Sequence, residues 1–190
     1  MRATLVSRRA FTLGVTAVPV GISLSARAVG ESGSVPGASG AGNGLTHSSE
    51  AIHQEVNFTA SCQRVYAALT STPQFDALTR LSDAVSLVTA PNAQATFISP
   101  EVGGPFTLFG GYVTGRQLEM VPGERLVQAW RAGSWRESDY SVVKFVLVEK
   151  GPACHLVFDH RGFPEGEGAH LAHGWRVHYW EPLAKLLAQE

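Results

Sequence analysis

The sequence predicts an α+β fold, and three observations carry that reading. An isolated alternating strand is followed by two short helices. A series of β-rich runs then comes too closely spaced for crossover helices, and the chain closes on one long helical period. Short connections favour antiparallel hairpins, so the sheet is expected to be a meander with helices segregated to its ends.

The first residues read as an address rather than as structure. Ser7-Arg8-Arg9-Ala10-Phe11-Thr12-Leu13 has the twin-arginine pattern, an apolar stretch runs from Leu13 to Leu24, and Ala26-Arg27-Ala28 offers a cleavage site. Residues 1–28 are therefore expected to be an export signal that uses Arg8 and Arg9 to engage the twin-arginine machinery. The apolar stretch contains Gly14, Pro19 and Gly21 and is well short of the about 20 residues a spanning helix needs, so no membrane insertion is expected after cleavage. Cleavage removes Arg2, Arg8, Arg9 and Arg27 and no acidic residue. Lys plus Arg then falls from 15 to 11 against 16 acidic residues, a net charge near −5. Such a balance, with no surviving arginine-rich run, excludes nucleic acid and anionic membranes as partners.

Residues 29–49 are rich in Gly, Ser, Ala and Asn and contain no aromatic, as in GASGAGNG. Such a segment buries too little surface to offset its ordering entropy and reads as a flexible tether. The folded domain is expected over residues 50–190, long enough to bury about two-thirds of its unfolded surface in one core.

Within that domain Ile52, Gln54, Val56 and Phe58 alternate with polar residues, which predicts a half-buried strand. Ser61 is placed to cap a helix through Thr70 that turns Val65, Ala68 and Leu69 inward. Thr72-Pro73 supplies a cap and a first-turn proline for a second helix to Arg80. The β-rich runs are 84–89, 95–98, 105–109, 112–120, 124–131, 139–149 and 153–161, divided by pairs such as Pro122-Gly123 and Gly151-Pro152.

After Gly162 the period becomes helical. At about 100° per residue with Trp175 at zero, Leu171, His178, Tyr179, Pro182 and Leu186 fall within about 60° and form one stripe. His170 and His173 fall on the far side as a solvated pair, so the three histidines cannot hold one metal from a straight helix, and no metal site is expected. Trp180 also falls outward, against a neighbouring loop or at a homodimer contact. Pro182 inside the pattern predicts a bend or break near Tyr179.

Strand, two helices, meander and long C-terminal helix resemble the helix-grip, START-like fold of the SRPBCC superfamily. The segments GGPFTLFGGYVTGRQLEMVPGERLVQAWRAGSW (103–135) and DHRGFPEGEGAHLAHGWRVHYWEPL (159–183) resemble its subgroup named after the activator of heat-shock protein 90 ATPase, and the likeness spans about residues 51–190. It implies a curved antiparallel sheet wrapped around the helix with a cavity between them. Period-2 spacing puts Phe106 and Leu108, Leu126 and Trp130, Val143, Phe145 and Leu147, and Leu156 and Phe158 on faces that can meet the Trp175 stripe, with Gln128 and His160 as polar exceptions. Those faces describe a closed core or a pocket wall equally well. The resemblance favours the pocket and names its candidate ligand-binding residues: Phe106, Leu108, Gln128, Trp130, Phe145, Phe158, His160, Leu171, Trp175, His178 and Tyr179. The superfamily's first and last strands are antiparallel neighbours. That arrangement would put Cys62 and Cys154 at one end of the molecule, where a Cα separation below about 7 Å permits a disulfide.

The functional expectation is an exported, periplasmic or extracellular protein that binds or carries a small hydrophobic ligand, whether lipid, polyketide or aromatic. The alternative is a cyclase, dehydratase or lyase using His160 or His178 as acid and base, with Tyr179 or Tyr112 as partner. A co-chaperone role conflicts with export, because the chaperone and its ATP are cytoplasmic. No cofactor pattern is present, and Gly110-Gly111 reads as a sheet bend rather than a phosphate loop.

Overall fold

The computed structural model describes residues 50–189. The segment expected to be an export signal (1–28, with Arg8 and Arg9) and the segment expected to be a tether (29–49) lie outside the described residues.

β1 (Ala51–Phe58) buries Ile52 and Phe58 and half-buries Gln54 and Val56 on one face. α1 (Cys62–Thr70) starts where Ser61 Oγ accepts the Arg64 N–H, and it buries Val65, Ala68 and Leu69. α2 (Thr72–Arg80) follows, with Pro73 in its first turn and Phe75, Leu78 and Thr79 buried. Its N-cap is Ser71 rather than Thr72. The Thr72 hydroxyl instead accepts the Ile98 N–H at 3.0 Å and so ties α2 to the next strand.

The run 84–89, expected to be a strand, forms a short helix, α3 (Val85–Val88). Ser82 Oγ accepts the Ala84 N–H at 3.0 Å and Thr89 Oγ1 donates to the Val85 carbonyl at 3.1 Å, so local turn chemistry overrides β propensity. None of the α3 residues is buried.

The remaining runs are strands: β2 (Phe97–Ile98), β3 (Pro105–Leu108), β4 (Val113–Val121), β5 (Arg125–Ala132), β6 (Ser141–Lys150) and β7 (Ala153–Arg161). With β1 they make a seven-stranded, curved, wholly antiparallel sheet in the order β1-β7-β6-β5-β4-β3-β2. A bulge between Gln117 and Glu119 turns Leu118 outward. Phe58 pairs with Cys154, which brings α1 beside the start of β7, and Cys62 and Cys154 form a disulfide with their Cα atoms 4.9 Å apart.

The C-terminal helix lies across the inner face of the sheet in three pieces: α4 (Gly168–Trp175), a π turn (Arg176–Trp180) and α5 (Glu181–Leu187). The interruption falls where Pro182 predicts it, since the proline removes a backbone donor and its ring is relieved by the wider turn. Glu50 caps α4 from outside the helix, its carboxylate accepting the Gly166 and Gly168 N–H groups at 3.2 Å each.

The π turn also changes the phase of the stripe. Leu171, Trp175 and Tyr179 are buried as expected, but beyond them the buried positions are Trp180, Pro182, Leu183 and Leu187, while Leu186 is half-buried. Trp180 therefore does not face outward to a loop or dimer partner. It stacks on Trp175 and meets Phe158 edge-on, with its Nε1–H donated to Gln54 Oε1 at 2.5 Å. Burying a side chain of this size stabilises the fold by about 2–3 kcal/mol.

Candidate functional site

Three separate elements build an apolar cleft against the first half of the C-terminal helix. From the sheet come Val113 on β4 and Trp130 and Ala132 on β5, all on the inner face. From the preceding segment come Ala84 and Leu87 of the α3 region and Phe109 of a 3-10 turn (Phe109–Gly111). From the helix come Leu171, Gly174, Trp175, His178 and Tyr179. They enclose about 280 Å³, with Glu167, His170, His173, Tyr112 and Ser134 around the mouth.

Phe109 is held in the left-handed region at φ 51°, a conformation an L side chain adopts only under constraint. The two glycines after it make the turn feasible. Gly110, at φ 69°, packs so closely under α3 that a Cβ there would lie 2.2 Å from the Leu87 carbonyl oxygen. The turn drives the Phe109 ring into the cleft floor, edge-on to Phe75 (5.4 Å) and Tyr179 (5.3 Å). Trp175 in turn lies 4.2 Å from Tyr179 and 5.6 Å from Trp130, completing an aromatic wall.

Of the ligand-binding candidates named from sequence, Trp130, Leu171, Trp175, His178 and Tyr179 line this cleft together. Phe106, Leu108, Gln128, Phe145, Phe158 and His160 do not; they are buried in the core. For Phe145 and Phe158 the reason is the second tryptophan. Trp180, brought inward by the π turn, fills the space over Phe145 and Phe158, with ring centroids at 6.3 and 5.2 Å. Gln128 spends its amide on Gln117, donating to Oε1 at 3.1 Å.

His160 is a structural histidine rather than an acid-base candidate. Trp175 Nε1–H donates to its Nδ1 at 3.0 Å, so the ring proton sits on Nε2 and is donated to Ser141 Oγ at 2.7 Å. Ser141 then donates to the Trp130 carbonyl at 3.0 Å. Both ring nitrogens are thus used inside the core, and burial holds the imidazole pKa down to about 3, so it is neutral at any physiological pH.

His178 stands at the cleft wall, half-buried, its Nδ1 3.3 Å from Ser82 Oγ. Burial lowers its pKa, Asp83 opposes that shift, and His173 and His170 reinforce it. His170 and His173 are exposed, as their helical phase requires, yet both reach the cleft rim. Among the described residues no group of three or more His, Cys, Asp or Glu side chains is arranged to hold a metal ion, and no helix is long and apolar enough to cross a membrane.

Ala84, Leu87, Phe109, Val113 and Ala132 escape sequence reasoning. Phe109 alone carried a signal, the adjacent Gly110-Gly111 pair, which reads as a bend without revealing which side chain the bend presents.

The chain matches the family model described as activator of Hsp90 ATPase homolog 1-like protein over residues 59–188. The human activator of 90 kDa heat shock protein ATPase homolog 1 is 29% identical over 92 residues, which cover 48% of this chain but only 27% of the human protein. An HSP90 activator from Plasmodium falciparum superposes with a TM-score of 0.61 at 22% identity, over 73% of this chain and 96% of that one. The Aha1 dimer from Colwellia psychrerythraea gives a TM-score of 0.53 at 18% identity, over 73% and 96% of the two chains. The structural likenesses establish a shared fold, the sequence profile goes further, and the chain belongs to the activator of Hsp90 ATPase homolog 1-like family.

Proposed function

We propose that this protein is an exported binder or carrier of one small apolar molecule held in the cleft beside α4. The observation that carries the reading is the cleft itself, about 280 Å³ walled by Phe109, Trp130, Trp175 and Tyr179. An apolar cavity of about 150 Å³ suffices for benzene. The volume here therefore suits one or two rings, and a sterol or two-chain lipid would not be enclosed.

Export rests on the twin-arginine pattern around Arg8 and Arg9. The Cys62–Cys154 disulfide supports it, because such bonds persist in oxidising compartments. In this proposal residues 1–28 are removed and 29–49 tether the domain. The relatives' chaperone activation is not carried over, since ATP and its chaperone stay in the cytoplasm. The dimer described for the Colwellia protein is carried over, and sedimentation of residues 29–190 tests it: the mass of two chains supports it and the mass of one overturns it.

An enzymatic role would rest on His178 alone, because His160 is committed to the core. Native mass spectrometry of the protein secreted by its own host tests the main reading. The expected result is a mature chain beginning at Val29, carrying a small aromatic or aliphatic molecule that is released on unfolding. A chain that stays in the cytoplasm overturns export. A mature protein that carries nothing, and that binds no added naphthalene, overturns the carrier.

A further inference from the structure

His178 is an ionisable ring built into the apolar wall of the cleft. It faces Phe109 with ring centroids 6.4 Å apart, and both side chains line the cavity. One turn earlier, Gly174 leaves the ring uncovered, since a Cβ there would meet only the His178 Cδ2 edge, at 3.9 Å. A guest in the cleft therefore takes the place of water against this ring. Ser82 Oγ stands 3.3 Å from His178 Nδ1. A hydroxyl accepts from a protonated ring as readily as it donates to a neutral one, so this contact leaves the ring free to change its charge. The titratable groups around it are Asp83, from the turn between α2 and α3, His170 and His173 on α4, Glu167 and Tyr112 at the mouth, and Tyr179 in the aromatic wall. Burial opposes the imidazolium most, Asp83 favours it, and His173 and His170 oppose it. His160 is no such group, because both its nitrogens are bonded inside the core.

We propose that the cleft is proton-gated: with His178 neutral it holds an apolar guest, and protonation of His178 as pH falls releases that guest. This rests on the carrier reading above and adds its regulation. An imidazolium in the wall keeps its hydration only while the cleft is open to water. A neutral guest laid against it strips part of that shell, and the attraction of the cation for an aromatic face is small beside the hydration lost. The coupling is reciprocal, so the guest disfavours the proton and the proton disfavours the guest by the same factor. The sign follows from the empty cleft, where burial already holds the His178 pKa below the usual 6.5. A guest lowers it further, so affinity is complete above about pH 6.5 and falls as pH drops through the titration of the ring. Exchange of one whole proton sets the ceiling, about tenfold in affinity per pH unit.

The test is calorimetric titration of naphthalene, which has no ionisable group, into the full-length, disulfide-intact protein between about pH 7.5 and about pH 4.5. Paired buffers of different ionisation enthalpy count the protons exchanged on binding, and circular dichroism confirms the fold at each pH. The expected result is a loss of affinity of at least about threefold towards the acid end, where a fraction of a proton is released per naphthalene bound, and no proton release at the neutral end. His178→Gln cannot ionise there. Whatever its affinity at neutral pH, it should release no proton and hold that affinity within about twofold across the range. Asp83→Asn, outside the cleft lining, removes the charge that favours the imidazolium and should move the fall in affinity to lower pH. If affinity and proton count do not change with pH, or change equally in His178→Gln, or if Asp83→Asn leaves the fall where it was, the gate is wrong while the carrier reading stands. If naphthalene binds at no pH, both fail.

Discussion

Trp175 and Trp180, five residues apart on the C-terminal helix, stack with ring centroids 5.7 Å apart and planes inclined by 21°. On an unbroken α-helix they would point about 140° apart. The π turn that Pro182 accompanies closes that angle and gives the molecule two regions: a solid aromatic core under Trp180 and an open cleft beside α4. Core and cleft thus follow from one local departure in backbone winding.

Trp180 should therefore be a stability residue and not a surface one. Trp180→Ala is expected to cost about 3–5 kcal/mol in urea unfolding, the range for deleting a buried tryptophan. Trp180→Phe keeps much of the packing but strands Gln54 Oε1, and should cost about 1–2 kcal/mol. Losses below about 0.5 kcal/mol for both would return Trp180 to the surface.

The disulfide closes a loop of 92 residues between α1 and β7. In the chain-entropy account a loop of that size contributes about 4–5 kcal/mol. Dithiothreitol, or the double substitution of Cys62 and Cys154 by Ala, is expected to lower the urea midpoint by a corresponding amount. An unchanged midpoint would mean that the bridge does not form.

The buried His160 predicts acid sensitivity of one sign. Its folded pKa, about 3, lies below the unfolded value of about 6.5, so between these values the unfolded chain binds more protons. The His160 contribution is complete above about pH 6.5 and is lost as pH falls towards 3, on the order of 5 kcal/mol in total. His178, also lowered, adds to the same slope. Stability measured from pH 7 to 4 should fall, and His160→Gln, though less stable at pH 7, should show a shallower dependence. An equal slope in the variant would contradict the assignment.

Gly110 should be irreplaceable at the cleft floor. Gly110→Ala forces a side chain into φ 69° and against the Leu87 carbonyl, at an expected cost of about 1–3 kcal/mol. Because the same turn presents Phe109, the variant should also lose ligand affinity. Full stability with unchanged affinity would show that the turn has slack.

Much of this architecture is legible in the sequence, for physical reasons. The strands from 105 to 161 declare themselves because one face is buried and the other wet, so alternation survives in the residues. Leu171, Trp175 and Tyr179 are found by helical phase. What stays hidden depends on departures from regular winding. Trp180 is misplaced because a wheel drawn at a fixed angle per residue cannot contain a π turn, and with it goes the division of the inner face into core and cleft. The run 84–89 misleads because Val85 and Val88 favour strands, while the decisive contacts are the Ser82 and Thr89 hydroxyls. His160 was separable from His178 only once its two partners, Trp175 and Ser141, were in place from distant parts of the chain.

The central claim is that the space beside α4 is a ligand site. Gly174 lines it, and a Cβ there would meet only His178 Cδ2, at 3.9 Å, so a side chain can be added without disturbing the fold. The measurement is a calorimetric titration of naphthalene into the wild-type protein and into Gly174→Phe. Saturable one-to-one binding to the wild type, abolished in a variant that unfolds at the same temperature or higher, is the predicted result. Absence of binding to the wild type, or binding that the added phenylalanine leaves intact, would contradict the account.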